Sequence, residues 1–413
     1  RRRPIGPGRH RWTGRGGFAD ADYLPRMQLK KELVQHIAVF GESGSGKTVM
    51  ISAWYGATQE PQFLKSSLYN VTADLTSQGH KLHANYLGMK DSARPPETNK
   101  FAAVPYAFTL KLKDKAAKAS GSKPFDAMKL VWHDYPGEWF EADVSEPEEV
   151  RRRIDTFQAL LSSDVAFLLV DGQKLLDNAG EEERYLKALI GTFRTGLLRL
   201  EDDLLADGKL VAFPRIWVLA LSKADLLPDL DVYGFRDLVI SKAADDLAEL
   251  TSVIEGLIDA PEALAVGEDF VLFSSAKFEP NRISVAERVG LDLILPMAAM
   301  LPFERHVRWV EHKQIGVKVA EELLGGADAL AAALVGKVKY GGPKGWLIEL
   351  AWKAGVNRAM ATAVTLGADQ LRKIHTDAMN KRDYLAAVLA RFRMDMDDAE
   401  VDEVRPVLIR SKK

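Results

Sequence analysis

A three-layer α/β domain followed by a helical C-terminal region is the architecture that this sequence predicts. Three observations predict it. Short apolar runs alternate with helix-compatible stretches from about Met27 to about Pro280. A glycine-rich segment follows the first of those runs directly. From about Val289 onward no strand pattern is visible. The expected organisation is a basic flexible arm over residues 1–26, an α/β domain over 27–285 and a helical domain over 286–413.

The elements follow in order. Residues 1–26 gather Arg1, Arg2, Arg3, Arg9, Arg11 and Arg15 ahead of the first acid, Asp20, among glycines and prolines. Such an arm is either solvated or touches phosphates, lipid headgroups or an acidic partner. His36–Phe40 is a β-rich run ending in glycines. Val104–Leu112 and Lys129–His133 are two more, and could form a hairpin. Val165–Val170 and Ile216–Leu221 are continuous apolar runs of the kind buried in a parallel sheet. Phe270–Phe273 is the last. Between them Glu181–Leu205 and Gly234–Leu257 read as helices. The tail reads as helices punctuated at Gly325-Gly326 and at Gly341-Gly342-Pro343. Its apolar stripes, such as Trp346, Leu347, Leu350 and Ala351, suit helix–helix packing, or an exposed face on a membrane or partner.

Composition removes whole classes of function. With 56 Lys+Arg against 58 Asp+Glu the net charge is −2, so nucleic acid is not expected as a partner, and contact with an anionic membrane needs a local patch. No cysteine is present, which excludes disulfides, thiolate catalysis and cysteine-ligated metal sites. That suits a cytoplasmic protein. The longest apolar run, Leu293–Phe303, is eleven residues with two prolines, while a membrane span needs about 18 or more.

Gly41-Glu42-Ser43-Gly44-Ser45-Gly46-Lys47-Thr48 satisfies G-x-x-x-x-G-K-[ST] at every fixed position. A β-run precedes it, and the helix-compatible Val49–Tyr55 follows. Glycines let the main chain wrap so that its N–H groups point at phosphate oxygens. The next helix adds its positive end. Lys47 would reach the β- and γ-phosphates, and the Thr48 hydroxyl would ligate Mg²⁺.

Three later segments each sit at the C-terminal end of an expected strand, the edge where open α/β sheets bind ligands. Asp134-Tyr135-Pro136-Gly137 matches D-x-x-G, in which the carboxylate holds Mg²⁺ through water and the Gly137 N–H meets the γ-phosphate. Ser222-Lys223-Ala224-Asp225 looks like the [NT]-K-x-D guanine reader with Ser in the first place. Ser275-Ala276-Lys277 matches the S-A-K loop. Each alone is a cap or a turn; four in order are a pattern.

With these segments the chain resembles the Ras-like, translation-factor-related class of P-loop GTPases over roughly residues 33–280. The run His133-Asp134-Tyr135-Pro136-Gly137-Glu138-Trp139 is most similar to the bacterial YcjX-like proteins, which carry a similar D-Y-P-G-E-W. The resemblance implies a mostly parallel sheet with one antiparallel edge hairpin, GTP–Mg²⁺ binding and nucleotide-dependent switch loops. It makes Thr98 the candidate second protein ligand of Mg²⁺. Glu138 stands where the class has a water-orienting glutamine; it could take a proton from water or repel the γ-phosphate. Arg94, four residues before Thr98, is a candidate arginine finger, or a solvated loop arginine. Residues 59–99 are long for one connection.

The expectation is therefore a GTP-binding, GTP-hydrolysing switch protein with Mg²⁺ as cofactor. Gly41, Ser43, Gly44, Ser45, Gly46, Lys47 and Thr48 would take the phosphates. Ser222, Lys223, Asp225, Ser275, Ala276 and Lys277 would take the base. A protein effector would act through the helical tail. The alternatives are a GTP-gated scaffold that does not hydrolyse, a membrane-associated mechanoenzyme, and an ATPase.

Overall fold

Val165–Asp171 (β5) and Ile216–Ser222 (β6) are buried at every position, which is why their sequences do not alternate: both faces are covered. The computed structural model describes residues 32–96, 105–113, 127–134, 147–312, 315–335 and 356–412. The basic arm, the Gly341-Gly342-Pro343 break and the Trp346–Ala351 stripe lie outside the described residues.

The remaining strands are β1 (Glu32–Phe40), β2 (Tyr69–Ala73), β3 (Tyr106–Leu112), β4 (Ala127–Asp134), β7 (Ala265–Leu272), a small hairpin of β8 (Lys277–Glu279) and β9 (Arg282–Ser284), and β10 (Leu408–Ile409). Among the described residues eight strands form one sheet in the order β10-β7-β6-β5-β1-β4-β3-β2. The five central strands β7, β6, β5, β1 and β4 run parallel. The expected β3/β4 pair is antiparallel, with Tyr106 opposite Trp132.

The sheet differs from the expectation at both edges. β2 pairs antiparallel with β3 and β10 antiparallel with β7, so the antiparallel part is more than one hairpin. β2 lies inside the long 59–99 connection. That stretch folds as the helix Pro61–Ser66, then β2, then the helix Thr76–Ser92. β10 shows that the chain after Val289 is not wholly helical.

Alternate residues of each central strand feed two apolar clusters on opposite faces. Ile37, Val39, Phe167, Leu169, Val218 and Ala220 belong to one, and Ala38, Phe40, Ala166, Leu168, Trp217 and Leu219 to the other. The second face is covered by the helices Pro147–Leu161, Glu182–Arg199 and Val232–Leu257. In the last of these the buried positions Val232, Phe235, Val239, Ala243, Leu247, Leu250, Ile254 and Leu257 recur every three or four residues, one stripe of a helix. Asp231 starts it, its side chain accepting from the Gly234 N–H at 2.7 Å.

The first face is covered by the helices Lys47–Thr58, Thr76–Ser92 and Ile294–His312, with residues of Ala327–Val335, Val356–Val364 and Tyr384–Val401 in the same cluster. The expected boundary at 285/286 therefore does not coincide with a break in the core. Ile294–His312 is buried along almost its whole length, and Lys31–Lys413 forms one compact unit. The expected break at Gly325-Gly326 is present: Gly326, at φ +81°, separates the helices Val317–Leu323 and Ala327–Val335.

Two sites test this packing. A Cβ on Gly56 would lie 2.0 Å from Cγ of Tyr86, so the helices Lys47–Thr58 and Thr76–Ser92 meet there only because Gly56 has no side chain. Gly56→Ala should lower stability by about 1–3 kcal/mol in urea unfolding; an unchanged midpoint would contradict the close approach.

His306 is buried with Nδ1 2.8 Å from the Leu323 carbonyl oxygen, and burial pulls its pKa down from 6.5 to about 4. A depressed folded pKa means the unfolded chain binds the proton first, so stability falls as pH drops from about 6.5 towards 4. His306→Asn should remove about 2–3 kcal/mol of the stability lost between pH 7 and pH 4.5. Parallel acid titrations of both proteins by denaturant unfolding give that difference, and equal losses would contradict it.

Candidate functional site

The Gly41–Thr48 loop links the end of β1 to the helix Lys47–Thr58. Its glycines are dictated locally. A Cβ on Gly41 would stand 2.7 Å from Ser45 Oγ and 3.0 Å from Leu169 Cβ, while Gly44 and Gly46 hold φ of +82° and +93°. The Ser45 N–H donates to the Glu42 carbonyl at 3.2 Å, closing the turn. Ser43 and Thr48 are half-buried, Thr48 on the first turn of the helix.

Lys47 is buried. Its Nζ donates to the carbonyl oxygens of Gly41 at 2.7 Å and Glu42 at 3.1 Å, and lies 3.5 Å from Ser45 Oγ. Asp134, the last residue of β4, stands beside the loop because β4 pairs in register with β1, Asp134 opposite Val39. Burial pushes its pKa up to about 6, and the Lys47 charge acts the other way. One carboxylate oxygen, Oδ1, is buried without a hydrogen-bond partner among the described residues. A buried carboxylate with an unpartnered oxygen, next to a hydroxyl-bearing loop, is a donor set suited to a hard cation. The preceding residue is anchored from the other side: His133 Nε2 lies 3.0 Å from His36 Nδ1, and burial pulls His133 down to about 4 and His36 below its ordinary value.

The other side of the edge, where the sequence reading expects the base, is formed by the ends of β6 and β7. Ser222 Oγ donates to the Val170 carbonyl at 3.3 Å. Lys223 follows in the left-handed region, φ +53°, and its Nζ pairs with the buried Asp171 at 2.8 Å. Asp171 also caps the short helix Gly172–Asp177 by accepting from the Gln173 N–H at 2.9 Å. From that helix Lys174 reaches back to Glu42 of the phosphate loop at 2.9 Å. The loops after β1 and β6 are thus tied through one short helix.

The loops after β6 and β7 are tied directly. The Ala224 N–H donates to the Phe273 carbonyl at 3.0 Å, and Ser274 Oγ donates to Asp225 Oδ1 at 2.7 Å. Ala276 is buried beside them and Ser275 half-buried. Lys277 is exposed and pairs with Glu279 at 3.2 Å and Glu287 at 3.7 Å.

Lys47, Asp134, Ser222, Lys223, Asp225 and Ala276 thus share one sheet edge. Arg94 does not join them. It is exposed beyond the helix Thr76–Ser92, its N–H donating to Gly88. Lys90 of that helix pairs with Glu60, past the far end of the helix that Lys47 begins. Twelve residues of helix, about 18 Å, separate that end from the phosphate loop. Thr98, Gly137 and Glu138 lie outside the described residues.

Ser274 and Asp171 were not among the expected site residues. The Ser-Ser pair at 274–275 hides which hydroxyl faces Asp225; the ends of β6 and β7 decide it. Asp171 had a signal in Asp171-Gly172 at the end of an apolar run, but its partner Lys223 is identified only by the β5–β6 register, Asp171 opposite Ser222.

A search of curated proteins finds no match. A family model described as Double-GTPase 2 matches residues 35–252, which contain the phosphate loop, the D-x-x-G segment and Ser222–Asp225. The match spans more than half of the 413 residues, and the chain belongs to the Double-GTPase 2 family of P-loop GTPases.

Proposed function

We propose that this protein binds GTP with Mg²⁺ at the edge formed by β1, β4, β6 and β7, and hydrolyses it by in-line attack of water. One observation carries the reading. The Asp225 carboxylate is fixed by the Ser274 hydroxyl at the same edge as Lys47 and the unpartnered Asp134 oxygen. Phosphate, cation and base chemistry converge there.

The phosphate loop would give its N–H groups to the β- and γ-phosphates. Lys47 would exchange the Gly41 and Glu42 carbonyls for phosphate oxygens. Thr48 and Asp134 fit Mg²⁺, with Thr98 as the expected further ligand. The cation would neutralise charge on the phosphates and supply the partner that Asp134 Oδ1 lacks among the described residues. Gly137 would sense the γ-phosphate. Asp225 would accept from guanine N1–H and the 2-amino group, Ala276 N–H would donate to O6, and Lys223, held by Asp171, would lie along the base.

The water-activating step falls to Glu138 or to positioning alone. A phosphate-release assay under saturating GTP–Mg²⁺ decides between hydrolysis and the alternative of a GTP-gated scaffold; no phosphate above the no-protein control would select the scaffold. Among the described residues no helix is long and apolar enough to cross a membrane. The arm and the Trp346–Ala351 stripe, which motivated a peripheral membrane contact, lie outside those residues. The finer likeness to YcjX-like proteins rests on the D-Y-P-G-E-W run.

Lys47→Ala should weaken GTP binding roughly 10- to 100-fold, the worth of hydrogen bonds from a charged group. Calorimetric titration of the folded variant measures it, and unchanged affinity would remove the phosphate-loop assignment. Asp225→Asn should shift preference from GTP toward xanthosine triphosphate, whose 2-oxo group wants a donor. Wild type should favour GTP over ATP by roughly 10²- to 10⁴-fold, because adenine would not supply the two donors that guanine's N1–H and 2-amino groups bring to Asp225. Equal affinities for GTP and ATP in the wild type would refute guanine specificity.

A further inference from the structure

Arg405 lies between the helix Tyr384–Val401 and β10. Its Nη2 is within hydrogen-bond distance of three main-chain oxygens: Ala224 at 3.0 Å, Leu227 at 2.9 Å and Leu230 at 2.9 Å. All three belong to the chain that leaves Ser222-Lys223-Ala224-Asp225. That chain makes only a three-residue 3-10 turn, Ala224–Leu226; along it the Ala224 carbonyl accepts from Leu227 N–H at 3.2 Å and the Leu227 carbonyl from Leu230 N–H at 3.1 Å, and Arg405 adds a charged side-chain donor to the same oxygens. All three are reached by the single nitrogen Nη2, whose two N–H groups are shared among them and carry the guanidinium's charge to the loop. The carboxylates of Asp225, Asp229 and Asp231 attract the same guanidinium.

The segment that carries Arg405 is fixed along its length. Asp402 Oδ1 accepts from the N–H groups of Val404 at 2.8 Å and Arg405 at 2.9 Å. The Pro406 carbonyl accepts from Val232 N–H at 3.3 Å, and the Val407 carbonyl from Leu272 N–H at 2.9 Å. β10 then pairs with β7. Arg410 is bound by Glu400 at 2.9 Å, by Glu304 at 3.3 Å and by Asp397 at 2.5 Å. The strap over 402–411 thus grips the loop after β6 through Arg405 and, through Val407, the last residue of β7, two before Ser274.

We propose that Arg405 is a positioning residue for base recognition: by gathering the 224–230 carbonyls it holds Asp225 where guanine's N1–H and 2-amino groups arrive, so that the C-terminal strap sets the rate of nucleotide release. The inference rests on the guanine-nucleotide reading above. Arg405 touches no part of the nucleotide in it and acts only through the loop.

The test compares wild type, Arg405→Lys and Arg405→Ala in three measurements: release of a fluorescent GDP, relative affinity for GTP and ITP, and binding of tripolyphosphate. The base of ITP lacks the 2-amino group, and tripolyphosphate reports on the phosphate loop alone. Arg405→Ala should release GDP roughly tenfold faster or more, as expected for loss of charge-assisted hydrogen bonds. It should also lose most of the GTP-over-ITP preference while binding tripolyphosphate like the wild type. Arg405→Lys, which keeps the charge but not the planar donors, should fall between. If Arg405→Ala does not fold, Arg405→Lys decides, and it must show both changes in smaller degree. Unchanged release and an unchanged GTP-to-ITP ratio overturn the inference and leave the nucleotide reading standing. Equal weakening of GTP, ITP and tripolyphosphate also overturns it, since that is general destabilisation. A wild type that does not prefer GTP over ATP and ITP overturns the guanine reading and this inference with it.

Discussion

Parallel pairing of five buried strands is the constraint from which the site follows. Parallel neighbours put all their C-terminal ends on one edge. Residues 41–48, 134, 222–225 and 274–276, far apart in sequence, therefore arrive together without any direct sequence contact. The pairing in turn depends on both faces of β5 and β6 being covered, since a strand with seven buried residues is tolerable only between two layers. The C-terminal helices supply much of one layer. The site is thus an outcome of the whole fold and not of the matched segment alone.

At that edge the buried charges differ in how they are partnered. Lys223 and Asp171 satisfy one another at 2.8 Å, and Asp171 also caps a helix, so that pair is fixed whatever binds. Lys47 is held by carbonyl oxygens, neutral acceptors that a more strongly charged acceptor can displace. Asp134 keeps an unpartnered oxygen, and its raised pKa measures the cost of charging it there. Lys47, held by displaceable neutral acceptors, and Asp134 are the groups expected to meet the polyphosphate and its cation. The fully matched pair lies at the ends of β5 and β6, where the proposed reading places the base.

Much of this was legible in the sequence. The phosphate loop was, because its glycines are imposed by local backbone geometry and so appear as a fixed string. The central strands were, because burial on both faces leaves an apolar run. β2 was not: Tyr69-Asn70-Val71-Thr72-Ala73 alternates apolar and polar residues, but it is only five residues long, lies at an edge and buries only Val71, so it does not stand out inside the long 59–99 connection. β10 is two residues long, too short for any periodicity. Arg94 shows the limit of reading position from the string. Nearness in sequence to Thr98 suggested nearness to the γ-phosphate, yet the helix Thr76–Ser92 packs across its neighbour and ends at the far side. Ser274 and Arg405 depend on register and on contacts across 49 to 181 residues of chain, which no local string records.

The C-terminal segment is attached by buried ions as well as by apolar contact, and that affects how it can behave. Arg305 and Asp269 are both almost fully buried, paired at 2.7 Å, and the Ser411 N–H adds a bond to the same carboxylate at 2.8 Å. Glu304, buried and raised in pKa by that burial, is shared by Arg393 and Arg410. Replacing such a network by apolar groups can be nearly neutral, but removing one member leaves a buried charge unpaired, at about 3–5 kcal/mol. An apolar tail could slide by small steps at little cost. A tail held by directional pairs is either seated or released. The seated tail places Arg405 against the carbonyls of Ala224, Leu227 and Leu230, so the seating of the tail and the position of the loop after β6 are coupled through that side chain.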